Sequence, residues 1–198
     1  MKNLKFNTKE HNLFFTGDSH YNHKNIIKGT TVWKDIENTR NFDTIENMNN
    51  MIIDEINNKI GQNDILFHLG DWSFGHPSNV KWFRTKIHCK NIYLLIGNHD
   101  NNIRKNKDNI QSLFSSVQDY MEIRIDNIRI ILMHYPIHSW AGKNKGSIHL
   151  FGHTHSKYGG SGKSLDVGID NYFKLFGSYS PFSYKEIQEL IENKFNKL

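Results

Sequence analysis

A chain of 198 residues is long enough for one domain with a sizeable core and too short for two comfortable ones, so a single domain over residues 1–198 is expected. A hydrophobic content of 37% and a mean hydropathy of −0.64 exclude a membrane-embedded protein, since the longest apolar runs, such as Ile130-Ile131-Leu132-Met133, are strand-sized, and Met1 to Glu10 is too polar for a secretory signal. Lys+Arg 25 against Asp+Glu 20 leaves +5 without a dense basic run, which reads as a solvated surface compatible with phosphate-bearing ligands or nucleic acid.

The first strand reads as Asn12-Leu13-Phe14-Phe15-Thr16 and closes at Gly17. Asp18-Ser19-His20 follows at once, with His23 three residues later. A carboxylate and an imidazole on one short loop can meet at one cation; an Asx turn with an exposed histidine uses the same residues. Asp43-Thr44-Ile45-Glu46 has capping-box spacing, and apolar residues recur at Ile45, Met48, Ile52, Ile56 and Ile60 before Gly61, the pattern of an amphipathic helix. Asp64 to Leu69 reads as a second strand that ends in Gly70-Asp71, with His68 inside it as a core histidine or as support for the site. A loop from Trp72 to Pro77 leads to a short helix over Ser78 to His88. Cys89 is the lone cysteine, which excludes an internal disulfide and suits a reducing, cytoplasmic setting.

Asn91-Ile92-Tyr93-Leu94-Leu95-Ile96 is short, unbroken and closed by Gly97, as a buried parallel strand is. Asn98-His99-Asp100 therefore stand at a strand's carboxyl end, where open α/β sheets place ligands. The stretch from Asn101 to Phe114 reads as loop plus helix. Its cluster of Arg104, Lys105 and Lys107 is a solvated face, with contact to substrate phosphates as the alternative. Tyr120 to Ile125 and Asn127 to Met133 pair as a hairpin around Asp126-Asn127, and the second strand delivers His134 before Pro136 stops it. Trp140 to Gly146 is a candidate lid or substrate wall. Ile148 to Phe151 feeds Gly152-His153-Thr154-His155, and Leu165 to Asp170 returns as an edge strand. Ser183-Tyr184-Lys185-Glu186 repeats the capping-box spacing, and Ile187, Leu190, Ile191 and Phe195 give the last helix its stripe. His76, His138 and His149 read as structural or exposed.

Strands of one sheet can run their carboxyl ends toward a shared rim. The five strand ends then converge with Asp18, His20, Asp71, Asn98, His134, His153 and His155, all oxygen or nitrogen donors and no thiolate. That exceeds one tetrahedral zinc. It suits two borderline-hard ions such as Mn²⁺, Fe or Zn²⁺ that share a carboxylate. Two such ions, about 3.5–4 Å apart, form the clamp used for in-line displacement at phosphorus.

Asp18-x-His20, Gly70-Asp71, Gly97-Asn98-His99-Asp100, His134 and Gly152-His153-Thr154-His155 resemble, in order, the five blocks of the calcineurin-like metallophosphoesterases. The likeness runs from about Leu13 to Asp170 and is nearest to the small bacterial and phage members with an Asp-x-His-x-x-His opening. It implies an α+β fold, a four-layer αββα sandwich of two mixed β-sheets. It also implies one ion on Asp18, His20, Asp71 and His155, and a second on Asp71, Asn98, His134 and His153, with Asp71 bridging. Manganese leads as the metal, with iron, zinc or nickel as substitutes. His99 would protonate the leaving oxygen after in-line attack by a hydroxide held between the ions, with Asp100 orienting its imidazole. His23 would touch a substrate phosphate or brace the turn, and Asn98 and His99 would also meet substrate.

The activity implied is hydrolysis of phosphate mono- or diesters, the ester being drawn from a range that includes nucleotides and nucleic acid, with no membrane partner. The alternatives are a non-catalytic scaffold of the same fold that binds a protein, or a nucleic-acid-directed nuclease or binding module that uses the basic loops around Arg104 to Lys107 and Lys143 to Lys145. Selectivity is expected in the loops Asn22 to Asn41, Trp72 to Pro77, Asn101 to Lys107 and Trp140 to Gly146, around an open site.

Overall fold

The computed structural model describes residues 4–106 and 109–195. In chain order they form β1 (Leu4–Phe6), β2 (Leu13–Thr16), α1 (Ile45–Lys59), β3 (Ile65–His68), α2 (Pro77–Lys86), β4 (Asn91–Leu95), α3 (Asn101–Lys105), β5 (Ser116–Gln118), β6 (Tyr120–Ile125), β7 (Ile128–Met133), β8 (Ile148–Phe151), β9 (Ser164–Asp166), α4 (Ile169–Phe176), β10 (Phe182–Ser183) and α5 (Tyr184–Phe195). The strands make two mixed sheets, ordered β1-β6-β7-β8-β9 and β10-β2-β3-β4-β5. Every neighbouring pair is parallel except β6/β7 and β10/β2. The α+β architecture of two mixed sheets is the expected one.

The sheets stack through one apolar layer. Phe15, Phe67 and Leu95 of one sheet meet Ile123, Ile130, Leu132 and Leu150 of the other. Phe6 sits edge-on to Phe67 and Tyr93 across the gap. Helix α1 turns Met48, Ile52 and Ile56 onto the opposite face of its sheet, and α2 adds Val80 and Phe83 to the same cluster. The outer face of the other sheet is covered by loops: Trp140 lies on His149, and Tyr158 on Phe151. Among the described residues no helix is long and apolar enough to cross a membrane.

Turn and cap chemistry fixes the register. Asp126 and Asn127 both take left-handed backbone (φ 46° and 69°), as a two-residue hairpin turn between right-twisted strands requires. At α5 the capping box is reciprocal: Ser183 N–H donates to Glu186 Oε2 (2.6 Å) and Glu186 N–H donates to Ser183 Oγ (3.2 Å). The cap of α1 is Thr44, whose hydroxyl accepts from Asn47 N–H (3.2 Å), so the capping pair is shifted one residue from the Asp43–Glu46 spacing.

Other expectations are corrected. Leu165 to Asp170 is not one strand. Asp166 Oδ1 accepts from Gly168 N–H (2.8 Å), which bends the chain, and α4 starts at Ile169. The Trp140–Gly146 segment is neither lid nor substrate wall. It packs beside Arg129 and leads into Ser147, just ahead of β8. Through the pairing of Ile130 with Ile148 it sits at the start of β8, about 13 Å from the carboxyl ends. Arg104 is ion-paired with Asp119 at the surface, and Lys105 is exposed. Lys107 lies outside the described residues, as does the side chain of Phe195.

Candidate metal centre

The carboxyl ends of β2, β3, β4, β7 and β8 open onto one rim, and the loops beyond them are zipped together. Asp18 N–H donates to Gly70 O (2.9 Å) and His20 N–H to Asp71 O (3.0 Å), which extends the β2/β3 pairing past the strands. Gly152 N–H donates to His134 O (2.9 Å), which does the same for β7 and β8. Between the sheets, His153 N–H donates to the Asp18 carboxylate (2.9 and 3.0 Å).

Backbone strain marks this rim. Among the described residues, left-handed conformation outside glycine occurs at the hairpin and at Asp18, His20, Asn22, Asp71, His153, His155 and Ser156. Each such residue costs about 1–2 kcal/mol and persists where its surroundings over-determine it. The glycines supply space as well as turns. A Cβ on Gly97 would fall on Asp71 Oδ1 and 2.5 Å from the Asp71 amide nitrogen. On Gly152 it would lie 2.5 Å from Asp18 Oδ2, and on Gly168 2.6 Å.

Two donor groups result: Asp18, His20 and His155, and Asp71, His134 and His153. Within each, the donor atoms lie within 4.8 Å of one another. Asp71 stands between the groups, its Oδ2 3.5 Å from His20 Nε2 and 3.6 Å from His134 Nε2. Its Oδ1 accepts from His99 N–H (2.9 Å). His134 Nδ1 contacts Leu69 O at 2.7 Å; a carbonyl only accepts, so Nδ1 carries the proton and Nε2 presents its lone pair. Asn98 Oδ1 faces that lone pair at 3.0 Å, two acceptors together. His155 Nδ1 donates to Asp170 Oδ2 (2.6 Å), which turns its Nε2 inward. His20 is 2% exposed, and neither ring nitrogen has a hydrogen-bond partner among the described residues.

The electrostatics favour cations. Burial holds the Asp18 carboxyl well above the usual range, with Asp166, Asp71 and Asp170 adding to the shift and His155 opposing it. Burial pushes His20, His134 and His153 down, so their imidazoles are neutral at pH 7, the form that ligates metal. His155 is raised, because its bond to Asp170 and the charges of Asp18 and Asp170 outweigh burial. Buried carboxylates facing unpaired imidazole nitrogens, with two acceptors in contact, are the arrangement that bound divalent cations relieve.

Asp100 departs from expectation. Its carboxylate takes three backbone amides: Oδ2 accepts from Asp71 (2.7 Å) and Gly97 (2.9 Å), and Oδ1 from Trp72 (2.9 Å). It fastens two loops to each other and does not orient the His99 imidazole. Burial raises its pKa to about 6 against the pull of those amides. The His99 ring is exposed and lies near Phe74 (4.6 Å between centroids) and His20 (5.4 Å). His23 is stacked on Phe74 at 3.6 Å, part of a wall beside the donors.

Arg40, Asp170 and Asp166 belong to the site without any motif to mark them. Arg40, 4% exposed, donates to Asp170 and to the carbonyls of Asp18 (2.5 Å) and Ser19 (3.0 Å). Asp166 Oδ2 accepts from the Thr154 hydroxyl (2.5 Å) and Ser156 N–H (3.1 Å), which shapes the turn that carries His153 and His155. His68 is buried and bonded to Ser19 Oγ (2.7 Å), the core role expected.

The family model of the calcineurin-like phosphoesterase superfamily domain matches residues 47–165, a span that takes in Asp71 through His155. The chain belongs to the calcineurin-like phosphoesterase superfamily. It is 26% identical over 189 residues to the uncharacterized protein MJ1445 of Methanocaldococcus jannaschii, with 91% of each chain covered. Its fold is similar to the crystal structure of AQ665, a protein of unknown function from Aquifex aeolicus, with a TM-score of 0.65 and 21% identity over 91% of this chain and 100% of that one.

Proposed function

We propose that this protein is a dimetal-dependent phosphoesterase that hydrolyses phosphate mono- or diesters. The observation that carries the reading is the Asp71 carboxylate, set between two donor groups with His20 and His134 nitrogens 3.5 and 3.6 Å from one oxygen. One ion would be held by Asp18, His20, Asp71 and His155, the other by Asp71, Asn98, His134 and His153. The all-oxygen-and-nitrogen set suits manganese, and iron, zinc or nickel share that preference. A bound pair of divalent ions supplies an activated water and charge for the phosphoryl oxygens.

The chain's own residues do the rest. Asp71 links the two sites, and Leu69 and Asp170 fix the tautomers of His134 and His155. Asn98 offers a neutral oxygen, which keeps the second site less negative than the first. His99, exposed at the mouth with its backbone tied to Asp71, donates a proton to the leaving oxygen. The buried lone cysteine, Cys89, agrees with work in the reducing cytoplasm.

Purified protein with Mn²⁺ should release p-nitrophenol from p-nitrophenyl phosphate or its bis ester, and chelation should stop it. Asp71→Asn should lower metal content and activity together. No turnover of either ester, or of nucleotides and cyclic nucleotides, with Mn²⁺, Fe²⁺, Zn²⁺ and Ni²⁺ would sink the reading.

A further inference from the structure

From the trough beside His153 and His155 we infer that the ester is a nucleotide, its phosphate at the donor groups and its base stacked on Trp33. The inference rests on the phosphoesterase reading and adds the substrate class.

A cavity of about 260 Å³ adjoins the donor groups. His153, His155 and Lys157 line one side, and Trp33, Ile26 and Asn38 the other. A phosphoryl group held by the donors thus has this cavity as its neighbouring room on the His155 side. The indole of Trp33 is 41% exposed, and Ile26 supplies an aliphatic floor. A large apolar plane left open beside a polar centre is a surface that a flat ring covers favourably.

Trp33 is held in place. His23 meets it edge-on at 5.7 Å and 78°, and His23 is itself stacked on Phe74 at 3.6 Å and 8°. Phe74 in turn lies beside His99. An aromatic wall therefore runs from the mouth of the trough to the candidate acid, and His23 is its buttress. That gives a position to a residue of the Asp-x-His-x-x-His opening that the donor groups do not use.

Beyond, the trough widens into a second cavity of about 540 Å³ that shares Ile26, Asn38, His155 and Lys157 with the first. Its other walls are mixed, polar at Thr39, Asn41 and Ser156, acidic at Glu37 and aromatic at Phe173 and Tyr179. The hydroxyls and amides on that wall suit the hydroxyls of a sugar. An alkyl or glyceryl ester would leave Trp33 uncovered, and a phosphotyrosyl ring would cover it without using the second cavity. A nucleotide uses both, and sites of this size take ligands of that class.

The test compares wild type, Trp33→Ala and Trp33→Phe in the Mn²⁺-loaded protein. Kinetics are read on 3′-AMP, 5′-AMP, 2′,3′-cyclic AMP, glycerol phosphate and phosphotyrosine, and binding of the product adenosine and of 5′-AMP by calorimetry. Trp33→Ala should raise KM for at least one nucleotide roughly tenfold, the scale of one lost base stack. Its kcat/KM for glycerol phosphate should stay within twofold, and Trp33→Phe should restore most of the nucleotide KM. Turnover of glycerol phosphate or phosphotyrosine with nucleotide KM unmoved by Trp33→Ala overturns the inference and leaves the phosphoesterase reading standing. Nucleotide binding that depends on Trp33, without turnover of any ester, upholds the subsite and overturns the phosphoesterase reading. Neither binding nor turnover overturns both.

Discussion

Arg40 grips Asp170 with two nitrogens, Nε to Oδ1 at 2.8 Å and Nη2 to Oδ2 at 2.9 Å, and Asp170 in turn accepts the Nδ1 proton of His155. A charge on the Asn22–Asn41 loop thereby fixes the tautomer of a candidate metal donor more than a hundred positions away in the chain. Burial opposes ionisation of Asp170, yet Arg40 and His155 hold its pKa below the usual carboxylate range. Arg40→Gln should leave that carboxylate buried without its cation, at a cost of about 3 kcal/mol. It should also free His155 and the Asp18 carbonyl, so manganese bound per chain should fall from two toward one. Elemental analysis and a denaturant titration check both. Arg40→Lys should recover stability better than metal content, because a lysine cannot make the two-pronged contact.

Asp100 and the amides of Asp71, Trp72 and Gly97 make a different prediction from the one an orienting carboxylate would make. Asn has one acceptor oxygen where three amides converge on two. Asp100→Asn should therefore turn an NH₂ onto a buried N–H and lose about 2 kcal/mol of stability. Metal affinity should drop with it, since Asp71 and Asn98 sit on the two loops that come apart. Normal melting and metal content with only a changed pH–rate profile would restore Asp100 to His99.

These two residues show what a sequence carries and what it does not. The strands that bear the site were legible because β2, β3, β4 and β8 are short apolar runs that end in glycine, and the donors follow each glycine. Element edges were less so: β1, β5 and β10 are three residues or fewer, too short to show alternation. Helix α4 follows Gly168 without a side-chain cap, so no N-terminal signal separates it from β9. Arg40 and Asp170 are 130 positions apart and meet only through the fold. Asp100 stood beside His99 in sequence, yet adjacent residues on a turn need not face each other. The spacing showed which residues share the rim, while partners across loops come from packing.

Gly97 tests the requirement for space separately from the requirement for turning. Its φ is not left-handed, so alanine is allowed by the backbone alone, but the added Cβ lands on the Asp71 carboxylate and 2.5 Å from that residue's amide nitrogen. Gly97→Ala should push Asp71 out from between the donor groups. The expected outcome is near-complete loss of the second manganese and a fall in stability of about 1–3 kcal/mol, typical of overpacking. Wild-type metal binding in a crystal of this variant would mean that the loop gives more freely than its contacts indicate.

His68 makes the fold acid-sensitive. Burial, with His134 nearby, lowers its pKa from 6.5 to about 3. A histidine with a depressed folded-state pKa contributes stability that is whole above the unfolded value and is lost as pH falls. The window here runs from 6.5 down to about 3. Within it each proton taken up only on unfolding costs about 1.4 kcal/mol per pH unit. Metal-free wild type should therefore lose stability relative to His68→Gln as pH is lowered from 7 to 4. The raised carboxyls of Asp18 and Asp100 pull the absolute curve the other way, but they cancel in the difference between the two proteins. Parallel stability curves would place the titration elsewhere.

His99 separates chemistry from metal binding. Its backbone N–H holds Asp71 Oδ1 at 2.9 Å, but its ring is exposed and belongs to neither donor group. His99→Ala keeps the amide and removes the imidazole, so manganese content and melting temperature should match wild type. A lost general acid costs about 10²–10⁴-fold where the leaving oxygen needs a proton. An alkyl ester should show that full loss in kcat. p-Nitrophenyl phosphate, whose leaving group departs as a stable anion, should show much less. The measurement is the slope of log kcat against leaving-group pKa, which should steepen in the variant. An equal loss across leaving groups would assign the ring to substrate binding, and an emptied site would make His99 a ligand.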